Sequence, residues 1–167
     1  MTVHLAHRFN TNYIDEAGRE ISLRSGTDEL MLPGDYTEIL LQQKLREIQA
    51  LGRSNKVLFI DTDALITQFY LHFLEKEDIG ENLALSDAID GLNDYDLILF
   101  LEPDVEFIQD GTRNEEIHEN RSLYSQQIKE LLTRQGIDFV EITGDHLQRF
   151  EKAKQHIARK LGITTRF

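Results

Sequence analysis

An acid at the tip of an apolar run is a compact way to hold a cation or a proton where a ligand can reach it. Phe59-Ile60-Asp61-Thr62-Asp63 has that form. At the end of a buried strand, Asp61 can hold Mg²⁺ directly or through water beside a nucleotide. Read structurally, Asp61 ends the strand and Thr62 or Asp63 caps the next helix. A second constellation is Glu102-Pro103, then Asp110-Gly111-Thr112-Arg113, then Arg121. Gly111 frees the backbone for a turn, and the two arginines bracket Asn114, Glu115, Glu116 and His118. Guanidinium groups match phosphate oxygens in charge and geometry, so residues 104–122 have the make-up of a lid that carries arginines onto transferring phosphates. The structural alternative is a solvated loop whose arginines pair with nearby acids. The third constellation is Asp15-Glu16-Ala17-Gly18-Arg19-Glu20. A carboxylate here can orient or deprotonate a substrate hydroxyl, while Arg19 binds a phosphate or braces the acid. As a plain acidic loop, its ion pair would weigh little.

Other chemistries are excluded or weakened by composition. The chain has no cysteine, which removes disulfides, thiolate metal sites and cysteine nucleophiles and suits a reducing cytoplasm. His4, His7, His72, His118, His146 and His156 show no His-x-x-x-His spacing, so no zinc site is assigned. The 30 acidic residues outnumber 18 basic ones, for a net charge of −12, and such a surface repels nucleic acid. No apolar run approaches the roughly 20 residues of a membrane span, and the N-terminus has no signal-peptide pattern. Asp61-Thr62-Asp63 also resembles the nucleophile motif of haloacid-dehalogenase-type phosphatases. That motif usually continues with Gly-Thr, whereas Ala64-Leu65 follows here.

The elements that must position these residues follow from periodicity. Residues 2–9 form an amphipathic helical stretch through Val3, Leu5, Ala6 and Phe9, and 12–14 a short strand. Pro33-Gly34-Asp35 opens a helix with Asp35 as its N-cap, running through Ile39, Leu40, Leu45 and Ile48 to Leu51, with Gly52 as its stop. Continuous apolar runs at 56–60, 96–101 and 139–142 are expected to be strands buried on both faces. Helical patterns lie at 62–75, roughly 115–135, and 145–161 before Gly162. Strands alternating with helices give an α/β fold with a mainly parallel sheet, in one domain spanning 1–167. Ligands in such sheets sit at the carboxyl ends of the strands, where Asp15, Glu16, Asp61, Asp63, Glu102 and Asp145 collect.

In order and spacing, the three constellations resemble NadR-type ribosylnicotinamide kinase domains, over nearly the whole chain. Phe9-Asn10-Thr11 leading to Glu16-Ala17-Gly18-Arg19-Glu20 is similar to the family's Phe-Asn-Thr…Glu-Tyr-Gly-Arg-Glu stretch. Asp35-Tyr36 is similar to its next helix start, and Phe59-Ile60-Asp61-Thr62-Asp63, with Thr67 and Phe69, to its Walker-B region. Asp110-Gly111-x-Arg113 resembles its lid and Val140-Glu141-Ile142 its last strand. The resemblance implies a three-layer parallel sheet of P-loop kinase type. It implies phosphorylation of nicotinamide riboside to nicotinamide mononucleotide for NAD synthesis, with ATP and Mg²⁺. On that basis Glu16 or Asp61 contacts the ribose or acts as base, Asp61 or Asp63 supports Mg²⁺, and Arg113 and Arg121 steady the phosphates. Arg19, Asp35, Tyr36, Asp63 and Asp110 line the substrate alongside Glu16. Alternatives are a kinase for another nucleoside or nucleotide, and an inactive module that binds a ligand or oligomerises.

The family pattern begins with a strand and a Gly-x-x-x-x-Gly-Lys-[Ser/Thr] loop that cradles phosphates. No Gly-Lys-Ser or Gly-Lys-Thr occurs in the 167 residues, and Met1 to Phe9 look like the helix that follows the loop. The expectation is therefore a domain lacking its first strand and P-loop, with strand pairing rearranged or a homodimer covering the gap. Ala17 stands where the family has Tyr.

Overall fold

The computed structural model describes residues 1–26, 31–73, 79–106 and 119–163. They fall into two compact units, the larger drawn from residues 2–93 and the smaller from 94–106 and 119–163. Both are α/β with parallel strand pairs.

In the larger unit, α1 (Thr2–Phe9) leads to β1 (Tyr13–Ile14), α2 (Ala17–Ser25), α3 (Pro33–Leu51), β2 (Phe59–Ile60), α4 (Ala64–Phe73) and α5 (Gly80–Asp90). β1 and β2 pair in parallel, Tyr13 opposite Phe59 and Ile14 opposite Ile60. The apolar side of α1 closes on both strands through buried Leu5 and Ala6, with Phe9 and Phe59 rings 5.8 Å apart. Thr11 locks the strand entries together: its hydroxyl donates to Val57 O and accepts from Asn55 N. A core of Ala17, Ile21, Met31, Tyr36, Ile39 and Leu71 joins α2, α3 and α4. A second cluster, Leu40, Ala64 and Ile89, joins α3, α4 and α5.

In the smaller unit, β3 (Leu99–Leu101) pairs in parallel with β4 (Val140–Ile142), and α6 (Arg121–Arg134) and α7 (His146–Lys160) complete it. α7 packs on β4 and buries Ala153, Ile157 and Ala158. Its start is a capping box: Asp145 accepts from Gln148 N at 2.8 Å, and the Gln148 side chain accepts from Asp145 N at 3.1 Å.

Several sequence expectations need correction. Residues 17–25, to which periodicity assigned no element, are helical, because Ala17 and Ile21 face the core one turn apart. α5 was not anticipated, since its buried face is largely polar, with Asn82 and Ser86 beside Ile89. Asn82 donates to Pro33 O and accepts from Thr37, and Ser86 donates to Ala64 O, so hydrogen bonds compensate their burial. α3 starts at Pro33, not after Asp35; Asp35 lies at the third helical position and accepts from Leu32 N at 2.8 Å. The strands are shorter than their apolar runs, and β3 is only half-buried, with Leu101 42% exposed. Each sheet has two strands among the described residues, so every strand keeps one unpaired edge.

Candidate functional site

The parallel register of β1 and β2 brings both chains out at one edge. Asp61 N donates to Ile14 O at 2.9 Å, so Asp61 leaves the ladder directly beside the turn that carries Asp15 and Glu16. Glu16 is the cap residue of α2, and Arg19, one turn on, lies 3.9 Å from it in a largely exposed pair.

A buried side chain absent from the sequence-derived site joins these two chain ends. Gln43 of α3 is 6% exposed. Its Oε1 accepts from Ala17 N at 3.2 Å, while its Nε2 donates to Asp61 O at 3.3 Å and Thr62 O at 3.2 Å. These partners fix the amide's orientation, since only its oxygen can accept from an N–H and only its NH₂ can serve two carbonyls. Thr62 has φ 62°, an uncommon conformation for a β-branched residue. A glutamine within an amphipathic helix gives no sequence signal for this role, because its partners lie 26 and 18 residues away.

The candidate acids differ in what already occupies them. Asp63 caps α4, accepting from Ile66 N at 3.1 Å. Burial raises its pKa to about 6, with Asp90 and Glu47 adding to the rise and the Ile66 and Leu65 amides opposing it. Asp35 accepts from Leu32 N and from the Ser25 hydroxyl at 2.8 Å, and lies 3.5 Å from Arg24. Burial pushes its carboxyl up, but these partners outweigh that and hold it below the ordinary value. Tyr36 is buried in the core of the unit, 3% exposed. Asp61 is half-buried, and among the described residues its carboxylate takes part in no hydrogen bond or ion pair.

In the smaller unit, Glu102 accepts from Lys129 at 2.6 Å and from Ser125 at 3.1 Å. Burial raises its pKa, but these partners, led by Lys129, bring it below the ordinary carboxylate range. Arg149, 6% exposed, ties the strand ends together by donating to Glu102 O, to Gly144 O at 2.7 Å and to Asp104. Arg121 donates to Val105 O at 2.8 Å, so its guanidinium braces the chain after β3. Asp110, Gly111, Arg113 and most of the expected lid lie outside the described residues. The larger unit therefore brings together Glu16, Arg19, Asp61 and Asp63 at one strand edge, whereas Asp35 and Tyr36 hold α3 against its neighbours.

Among the described residues, no cluster of three or more His, Cys, Asp or Glu side chains forms a metal cage, and no helix is long and apolar enough to cross a membrane. Mg²⁺ does not require a cage, because it keeps water and substrate-phosphate ligands beside one or two carboxylates. Asp61 fits that role, and Asp63, engaged as a cap, fits it less well.

A family model described as an AAA domain matches residues 1–149. The trifunctional NAD biosynthesis/regulator proteins NadR of Salmonella typhimurium and of Escherichia coli are each 30% identical over 161 residues, covering 95% of this chain. The chain spans 38% of the length of either relative. A crystal structure of NadR protein in complex with NR superposes with a TM-score of 0.81 at 24% identity, covering 99% of this chain and 50% of that one. A crystal structure of NadR protein in complex with NAD and AMP-PNP gives 0.77 at 22% identity, covering 98% and 46%. The fold is that of these α/β proteins, although the described strands form two pairs.

Proposed function

The chain belongs to the AAA domain family, and from that premise we propose that it serves in ATP-dependent phosphorylation of nicotinamide riboside to nicotinamide mononucleotide for NAD synthesis, in the cytoplasm. The observation that carries this reading is the half-buried carboxylate of Asp61, without a hydrogen bond or ion pair among the described residues, at the strand edge it shares with Glu16. The NadR relatives support the choice of substrate.

Phosphoryl transfer in this class depends on positioning and charge stabilisation more than on covalent chemistry. Asp61 is assigned to Mg²⁺, which when bound offsets charge on the phosphates. Glu16 is assigned to the riboside hydroxyl, as hydrogen-bond acceptor and base. Arg19 steadies Glu16 or a phosphate, and Arg113 and Arg121 are assigned to the phosphates. Asp63 supports the loop that presents Asp61, through the start of α4. Asp110, Asp35 and Tyr36 are assigned to the substrate side, the last two by holding α3 in place.

The test is ADP release with Mg-ATP and nicotinamide riboside, together with calorimetric binding of the riboside. Asp61→Asn is expected to cut turnover at least about 100-fold, a loss of roughly 3 kcal/mol of transition-state stabilisation, with little change in melting temperature. Glu16→Gln is expected to weaken riboside binding and turnover together. Turnover of another nucleoside in place of the riboside would redirect the substrate assignment. Absence of riboside binding by the wild-type chain would end it.

A further inference from the structure

Gln43 lies outside every motif that suggested the site, yet its side chain is bonded to both strand ends that carry it. The first turn of α2 begins at Ala17, directly after Glu16, and the amide nitrogen there is one that a helix start leaves without an intrahelical partner. Gln43 Oε1 supplies the acceptor at 3.2 Å. On its other side the same amide meets two consecutive carbonyls, Asp61 O and Thr62 O, at 3.3 and 3.2 Å. Consecutive carbonyls converge on one donor because Thr62 adopts φ 62°, which turns the chain back between β2 and α4. A non-glycine residue stays in that region only where surrounding structure holds it there. Gln43 does so from inside a packed helix, next to core residues Ile39 and Leu40.

We propose that Gln43 is a positioning residue, fixing the separation and aim of the Glu16 and Asp61 carboxylates by clamping the backbone beside each. This rests on the assignment of those two acids to the riboside and the cation. A rigid α3 makes the clamp effective, since its core-facing residues and its ion pairs to α2, Arg24 with Glu38 at 2.7 Å and Arg46 with Glu20 at 2.6 Å, hold the helix in place. Ordering the site before the ligand arrives reduces what binding must spend on ordering it.

Two substitutions separate positioning from packing. Gln43→Met keeps the volume and removes all three bonds. Gln43→Glu keeps an acceptor for Ala17 N but sets a carboxylate oxygen against the Asp61 and Thr62 carbonyls. Riboside binding is measured by calorimetry, amide exchange at Ala17 by NMR, and unfolding by thermal melt, all on the intact chain. Gln43→Met is expected to weaken riboside binding at least about tenfold, which is 1.4 kcal/mol, and to speed Ala17 exchange while the fold persists. Gln43→Glu is expected to leave Ala17 protected and still lose binding, a split that simple loss of packing does not produce. Wild-type affinity in Gln43→Met, or an unprotected Ala17 amide in the wild type, overturns the inference alone. If the wild type binds no riboside, the functional assignment fails, and this role for Gln43 fails with it.

Discussion

Two aspartates two residues apart have opposite fates. Asp63, half-buried, accepts the Ile66 amide at 3.1 Å with the acids Glu47 of α3 and Asp90 of α5 nearby, whereas among the described residues the Asp61 carboxylate takes part in no hydrogen bond or ion pair. The spacing Asp-Thr-Asp made both candidate ligands; the choice between cap and ligand depends on where α4 begins, which the sequence places only to within a residue or two. The raised pKa of Asp63 has a consequence for stability. Its pKa rises from 3.8 to about 6 on folding, so the unfolded chain ionises first as pH increases. Stability contributed by this group is therefore present below pH 4 and lost between about 4 and 6, by roughly 3 kcal/mol in total. Asp63→Asn keeps the cap and is expected to flatten that slope, melting higher than wild type at pH 8 but not at pH 4. An unchanged pH profile of melting temperature would count against buried ionisation of Asp63. Asp35 and Glu102 act in the opposite sense: their pKa values are lowered, so their contributions are lost as pH falls through the acid range.

At the scale of elements, the legible parts were those with strong end signals. Asp145 and Gln148 form the capping box that the sequence Asp-x-x-Gln allows, and α7 follows. Gly144 before them has φ 103°, and an added Cβ would meet Gln148 Cβ at 3.1 Å, against the side chain that completes the box. Gly144→Ala is expected to destabilise the smaller unit by more than loss of the cap alone, since Asp145→Ala should cost about 1 kcal/mol. Urea melts of the two variants, compared at constant slope, check that order. α2 and α5 were not legible because their buried faces mix apolar and polar residues. Ser22 is buried and bonded within its own turn to Arg19 O, while Asn82 and Ser86 are buried with partners elsewhere in the chain, and a pattern of hydrophobicity marks none of the three.

For the whole molecule, charge and open strand edges set the expectations. A net charge of −12 repels itself, so raising salt from about 0.02 to about 0.2 M, which shortens the screening length several-fold, is expected to raise the melting temperature. Two-stranded sheets are marginal alone and their edges favour pairing. A concentration-dependent dimer is therefore expected in sedimentation experiments, and a monomer at every concentration would refute it. What the sequence determined by itself was the α/β class, the strand tips and the acids at them, because buried strands and turn residues are local chemistry read at short range. Family resemblance in Phe9-Asn10-Thr11, Glu16 to Glu20 and Asp61 followed from the same local strings. Only the tertiary structure decided that Asp63 caps α4 and that, among the described residues, the Asp61 carboxylate has no partner. It also gave Asp35 its Leu32 and Ser25 partners, placed Tyr36 in the core and brought in Gln43, because those outcomes depend on hydrogen bonds and packing between residues distant in sequence.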